Sequence, residues 1–349
     1  MRNMRDGKTV LKEIALGRVA QIGVFGDYML DEYVLGNVTR ISPESPVPVV
    51  EHQSRYSTLG GAGNVVMNIR ALGGAPLPFG LVGNDMAGHT VKRFLQEDSG
   101  VSSVHILVDS DRPTTVKTRI IAHHQQLLRI DSESKAAMAA EVRARMIASV
   151  RSELPQLGAL VVSDYDKGVV NRAAFDELLK ACLECAVPVI LDPKAFDLTG
   201  VGPITVITPN EKEAERFSGF RVDGDDSAEV AGRALLARTG ARNILITRGE
   251  HGMSLVSADG CIAHMPTQSK DVYDVTGAGD TVVAVLALAL AAGANVLDAA
   301  QLANTAAGIV VGKMGTATVT QEELNSALAG SWPNATSGRM RLRAQAGLL

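Results

Sequence analysis

The chain has 349 residues, room for one large or two medium domains with a full hydrophobic core, so neither a disulfide framework nor a structural metal is needed for stability. With 46% hydrophobic and 21% charged residues it lies far from the composition of disordered chains. A formal net charge of -4 leaves no electrostatic footprint for nucleic acid or an anionic membrane, and the three cysteines, Cys182, Cys185 and Cys261, suit a reducing, cytoplasmic setting.

The N-terminal segment up to Ile14 lacks the apolar stretch of a signal peptide. Ala20–Phe25 reads as a short apolar strand, Gly63–Leu72 as a helix, Pro76–Val82 as a strand and Met86–Asp98 as a helix. That alternation predicts an α/β fold, a mostly parallel sheet with helices on both faces. A long amphipathic helix follows at Ala137–Leu154, then apolar strands at Ala159–Ser163, Pro188–Leu191, Ile204–Ile207 and Ile244–Thr247, as the buried centre of such a sheet requires. Two regions break the pattern: Tyr33–Tyr56, dense in Val, Pro and Ser, and Ser103–Ile130, which reads as successive short strands. These predict a small β layer projecting from the main sheet. The longest apolar run, Thr281–Ala294, falls short of the ~20 residues that span a bilayer and reads as a buried helix. The organisation expected is one domain over residues 1–330 carrying a β lid from about 33–56 and 103–130, then a loosely ordered tail at 331–349.

The strongest chemical signal is DVTGAGD, Asp274–Asp280, running into the apolar helix. Gly277, Ala278 and Gly279 put small residues at a helix N-terminus, where unpaired N–H groups and the helix dipole can surround an anion. An acid in the first turn, Asp280, would repel a bound phosphate unless it acts on a proton; the plainer alternative is a helix-start acid after a tight turn. A second cluster, Gly60-Gly61-Ala62-Gly63-Asn64, would let the backbone approach a ligand, and Asn64 offers both a donor and an acceptor to hydroxyls. Taken alone it is also compatible with an ordinary glycine-rich turn. Asp27 and Asp31 follow the first strand at the sheet edge where α/β ligands bind, which suits acceptors for ligand hydroxyls, although the four-residue spacing lets Asp31 be a capping or surface acid instead. Cys182-x-x-Cys185 lies within a helical period and lacks a second pair, so zinc or redox use is not expected.

The two clusters, with VGNDMAG at Val82–Gly88 and TPNEKE at Thr208–Glu213, resemble the PfkB (ribokinase-like) sugar kinases. The resemblance implies a three-layer α/β/α sandwich with a small β-sheet lid, ATP and Mg2+ as cofactors, Asp280 as catalytic base, and Asn210 and Glu213 holding the magnesium shell and phosphates. It also implies Lys194 beside the transferring phosphoryl group, and an adenine and ribose wall of Thr247, Gly249, Gly252, Asn304 and Gly308. Gly26–Tyr33, Thr39–Val50, His124–Asp131, Ser163–Gly168, Leu191–Lys194, His264–Gln268 and Val311–Val319 are further similar to the heptose 7-phosphate kinase branch, a likeness reaching from about Gln21 to Leu328. That branch phosphorylates the C1 hydroxyl of D-glycero-β-D-manno-heptose 7-phosphate on the way to ADP-heptose and the lipopolysaccharide core. A kinase of another sugar and a non-catalytic sugar-phosphate binding protein are the alternatives.

Many members of the branch carry a nucleotidyltransferase with an HxGH motif; none occurs here, so the likeness is to a stand-alone kinase. A dianionic 7-phosphate needs cations, and Arg40, Lys117, Arg119, Arg129 and Lys167 lie in the segments that carry the likeness, with Arg119 and Lys167 favoured. The lid, with too little apolar content for a core of its own, is expected to cover ligand and to pack against its copy in a homodimer.

Overall fold

A computed structural model describes residues 7–15, 19–123, 125–268, 272–313, 315–330 and 341–343. Its strands are β1 (Gln21–Gly26), β2 (Tyr28–Ile41), β3 (Pro48–Gly61), β4 (Pro76–Gly83), β5 (Ile106–Asp109), β6 (Thr115–Ala122) and β7 (Gln125–Ser132). These are followed by β8 (Leu157–Ser163), β9 (Val189–Asp192), β10 (Val206–Ile207), β11 (Asn243–Thr247), β12 (Met253–Ser257), β13 (Ile262–Met265) and β14 (Arg341–Arg343). The helices are α1 (Gly7–Ala15), α2 (Ala62–Ala71), α3 (Met86–Arg93), α4 (Ala140–Glu153), α5 (Arg172–Glu184), α6 (Glu211–Ser218), α7 (Asp225–Thr239), α8 (Ala278–Ala291), α9 (Val296–Val310) and α10 (Gln321–Leu328).

The main sheet runs β14-β13-β12-β11-β10-β9-β8-β1-β4-β5. From β11 to β5 the neighbours are parallel, and β12 to β14 add an antiparallel edge. Period-two alternation explains why the central strands read as unbroken apolar runs. In β8, Ala159 and Val161 enter the core under α2, α8 and α9, while Leu160 and Val162 enter the core under α4, α5, α6 and α7. The two cores on opposite faces make the three-layer sandwich. The apolar run at 281–294 forms most of α8, packed between α2, α9 and the sheet, which is why it is apolar all round. Among the described residues no helix is long and apolar enough to cross a membrane.

The second sheet, β3-β2-β6-β7, is the lid. Its boundaries differ from the expected 33–56 and 103–130. Its first two strands begin at Tyr28 and end at Gly61, while β5 pairs with β4 and belongs to the main sheet. Ile106, buried beneath α3, draws β5 to the core, a choice that strand propensity alone does not encode. The helix expected over 86–98 is α-helical to Arg93 and closes with a π turn at Phe94–Asp98. Of the expected tail, residues 341–343 form β14 against β13; the rest of 331–349, like His124, lies outside the described residues.

The junctions between core and lid are short. Only Asp27 separates β1 from β2, and β3 ends at Gly61 where α2 begins at Ala62. The lid strands are therefore extensions of core elements, and residues at both junctions are brought to the C-terminal edge of the sheet.

Candidate active site

Asp280 lies in the first turn of α8, whose N-cap is Gly277 in the left-handed region at φ 80°. A side chain there would put a Cβ 2.6 Å from Nδ2 of Asn64, so the glycine gives both the turn and the space. Asn64, in the first turn of α2, donates from Nδ2 to Oδ2 of Asp280 at 2.8 Å. Its amide oxygen accepts from Nδ2 of Asn68, one turn on, at 3.4 Å, while Asn68 also donates to the Asn64 backbone carbonyl at 3.0 Å and accepts from the Thr281 hydroxyl at 3.0 Å. The other Asp280 oxygen accepts from the Tyr165 hydroxyl at 2.8 Å. Burial pushes the Asp280 carboxyl up to about 6; the donors Asn64 and Tyr165 oppose that rise and Asp31 adds to it. A carboxylate ionised at neutral pH yet basic enough to take a proton suits a general base.

Two cavities adjoin here, and Asp280 lines the larger of them. The larger, of about 470 Å³, holds Asp31, Gly60, Gly61, Gly277 and Asp280. Six basic side chains line it, Lys117, Arg119, Arg129, Lys135, Lys167 and Lys194, against three acids, Asp31, Asp166 and Asp280. The smaller, of about 120 Å³, holds Asp164, Asp192, Asn210, Glu213, Thr247 and Gly279. Tyr165 and Lys194 line both, and the Gly277–Gly279 turn has one glycine on each side.

On the lid side, Asp31 accepts from Arg119 at 2.6 Å, and Arg119 stacks over the Tyr33 ring at 5.3 Å. Pairing of β2 with the parallel β6 sets Asp31 beside Lys117 and Tyr33 beside Arg119. Gly60 faces the same carboxylate, and a Cβ there would meet Asp31 Oδ2 at 2.3 Å. Lys167 pairs with Glu133 at 2.9 Å and Lys117 with Asp131 at 3.7 Å. Arg40 is exposed on the lid and lines neither cavity.

Asp27 does not face the larger cavity. It is 1% exposed, and its carboxylate accepts from the backbone N–H groups of Tyr165 (2.8 Å), Lys167 (3.2 Å) and Val169 (3.2 Å). Its place is under the loop after β8, which it ties down. Asp164 does the same one residue before Tyr165, accepting from the N–H groups of Asp166, Lys194 and Ala195.

In the smaller cavity, Asn210 and Glu213 form a reciprocal capping box at the start of α6. Glu213 also takes the Lys194 ammonium at 2.8 Å. Asp192, at the end of β9, accepts from the Thr208 hydroxyl at 3.1 Å. Burial pushes its carboxyl well up, with Asp280 and Glu213 adding to the rise, so it gains from any cation brought beside it. Mg2+ takes one or two carboxylates together with phosphate and water oxygens, and Asp192 with Glu213 facing one cavity fits that demand. Among the described residues no cluster of three or more His, Cys, Asp or Glu forms a metal cage.

Of the expected nucleotide wall only Thr247 lines the smaller cavity, beside Asn210 and Glu213. Gly249, Gly252, Asn304 and Gly308 line neither cavity. Asn304 donates to the Pro266 carbonyl at 2.9 Å, and Gly252, at φ 81°, leaves no space for a Cβ beside the Met265 carbonyl. Ala278 opens α8 and its N–H donates to the Val275 carbonyl. Sequence reasoning missed Asp192, Tyr165, Asn68 and Lys135. The signal for Asp192 was an acid at a strand's C-terminal end in LDPK; that for Tyr165 was an aromatic residue in SDYDKG with no periodicity to place it in a core.

A buried carboxylate at a helix N-terminus, in a cation-lined cavity that adjoins a second, acid-lined one at the C-terminal edge of a parallel sheet, is an arrangement that suits a carbohydrate kinase. The pfkB family carbohydrate kinase model matches residues 20–323, and the chain belongs to that family. It is 46% identical over 325 residues to the bifunctional protein HldE of Paramagnetospirillum magneticum, covering 93% of this chain and 66% of that protein. With the bifunctional protein HldE of Desulfatibacillum aliphaticivorans it shares 46% over 316 residues, 90% of this chain and 64% of the relative. The chain thus spans about two thirds of the length of these curated relatives. Solved structures share the fold: Arabidopsis thaliana ribokinase complexed with ribose and ATP (TM-score 0.69, 20% identity, 89% of this chain and 98% of that one). Escherichia coli phosphofructokinase-2 in complex with fructose-6-phosphate is another (TM-score 0.72, 18% identity, 89% and 99%).

Proposed function

We propose that this kinase transfers the γ-phosphoryl group of ATP to the C1 hydroxyl of D-glycero-β-D-manno-heptose 7-phosphate, giving the 1,7-bisphosphate that leads to ADP-heptose. The observation that carries the sugar-phosphate reading is the larger cavity, where six basic side chains share one space with Asp280. Each of the six is paired with a carboxylate (Asp31, Asp131, Glu133, Asp166 or Glu213), yet a neutral sugar gives no reason to gather so many exchangeable cations at one cavity, whereas a dianion held at the lid end places its far hydroxyl toward the base. The segment likeness to heptose 7-phosphate kinases and the identity with HldE proteins support this choice of sugar.

In this reading Asp31 and the Gly60–Gly61 backbone orient the sugar, and Asp280 takes the C1 proton as the oxygen attacks the γ-phosphorus in line. Lys194, lining both cavities, meets the charge that builds on the phosphoryl oxygens. Mg2+, held through Asp192 and Glu213, would neutralise charge on the ATP phosphates. The lid excludes water, and its exposed Ile41, Leu128 and Ile130 suit packing against a second copy.

Incubation with ATP, Mg2+ and heptose 7-phosphate, followed by 31P NMR, tests the reading. A new anomeric phosphate resonance is expected, absent with Asp280→Asn and much weaker with unphosphorylated heptose. No product from heptose 7-phosphate, with turnover of another sugar, would overturn the choice of substrate.

A further inference from the structure

Tyr165 occupies the wall between the two cavities and is held there from below. Its backbone N–H is fixed by Asp27, and the loop on either side of it by Asp27 and Asp164. Its hydroxyl reaches Oδ1 of Asp280, 115 positions along the chain, at 2.8 Å. The phenol is half-buried, and desolvation with the nearby carboxylates of Asp280, Asp192 and Asp31 keeps its own proton on well above the ordinary range. It is therefore a donor at every pH at which the enzyme works.

We propose that Tyr165 is a positioning residue for phosphoryl transfer, its hydroxyl fixing the Asp280 carboxylate in the plane that meets the acceptor hydroxyl. The inference rests on Asp280 being the base. A carboxylate held by one donor can rotate about the Cβ–Cγ bond; two donors from separate elements, Asn64 on α2 and Tyr165 on the loop after β8, fix the plane. Each oxygen keeps a second lone pair, so the acceptor hydroxyl can donate without displacing either partner.

The hydroxyl also acts on the charge. The groups around Asp280 are Asn64 from α2, Asp31 on β2 with its Arg119 partner from β6, Asp192 at the end of β9, Lys194 in the loop beyond it, and Tyr165 itself. Burial and Asp31 disfavour the ionised base, and the Asn64 and Tyr165 donors favour it. Without the Tyr165 hydroxyl, one of these two donors is gone.

Tyr165→Phe keeps the ring and the wall but removes the donor. The acid limb of kcat/KM is expected to move up by about one to two pH units, so that activity at pH 6 falls about five- to fiftyfold below wild type and recovers toward pH 9. A tyrosine needed only for packing would lower kcat/KM by one factor at every pH. Independently of which sugar is the acceptor, the Asp280 carboxyl carbon, assigned by its loss in Asp280→Asn, should titrate higher by the same interval in 13C NMR of the Phe variant. An unshifted or lowered limb and carbon titration, with Asp280→Asn inactive, overturns the role of Tyr165 and leaves the base assignment standing. Wild-type turnover in Asp280→Asn removes the base and this inference with it.

Discussion

Replacing Asp27 with Asn should change how the stability of the protein depends on pH. Asp27 is 1% exposed; burial, with Asp164 adding to it, pushes its carboxyl from 3.8 up to about 6 despite the three N–H donors it accepts from. Between those two values the folded chain holds a proton that the unfolded chain has released. The stability this confers is fully present below pH 3.8 and is lost as pH rises through 6. A shift of that size corresponds to about 3 kcal/mol, of which about 2 kcal/mol is lost between roughly pH 4.5 and pH 8.

Asn at this position does not titrate, and its single acceptor oxygen can serve only two of the three N–H groups. The orphaned donor lowers stability by about 1–3 kcal/mol at all pH. Urea unfolding of both proteins across this range isolates the titrating part, because the other carboxylates cancel in the difference. The wild type should lose about 2 kcal/mol relative to the variant as pH rises. A difference that stays flat with pH would show that Asp27 is not the proton-holding group its burial implies.

With Asp280 as base at about 6, kcat/KM should fall about tenfold per unit below that pH as the carboxylate is protonated; full activity at pH 5 would contradict the assignment. Gly277→Ala combines a positive φ with a Cβ 2.6 Å from Asn64 Nδ2, so about 1–2 kcal/mol of backbone strain should appear in the melting temperature, with reduced kcat as Asn64 leaves Asp280. Wild-type values for both would refute this. Lys167→Ala should raise KM for the sugar phosphate about 10- to 100-fold, from the loss of a charge-assisted bond of ~1.5–3 kcal/mol. Arg40→Ala, outside both cavities, should leave KM unchanged; the reverse pattern would move the anion site to the lid tip.

The main sheet was legible because its strands are buried on both faces, which forces runs such as Ala159–Ser163 to be apolar throughout. Asp280 was legible because an acid after three small residues at a helix start is chemically conspicuous. Asp27 shows the limit: an acid beyond the first strand suggested a sugar contact, but which donors converge on it depends on the 165–169 loop folding over it. Asn64 likewise carries the right chemistry, and the structure aims its amide at the carboxylate of α8. Residues 216 positions apart along the chain meet there, and no local pattern records such a meeting. The glycines at 249 and 252 were read as a ligand wall, yet Gly252 serves a tight backbone crossing, a steric demand that looks the same in sequence.

The junctions joining core and lid give the molecule a mechanical property. With one residue at one crossing and none at the other, there is no slack in which a rotation of the lid can dissipate. A load on Arg119 of β6 would be carried through its ion pair to Asp31 on β2 and on to Asp27, and along the paired β3 to Gly61 and Asn64, whose amide bonds the Asp280 carboxylate. A truncated acceptor without its remote anion would then still enter the cavity but fail to apply that load, and the deficit would be felt as lost turnover as much as lost affinity.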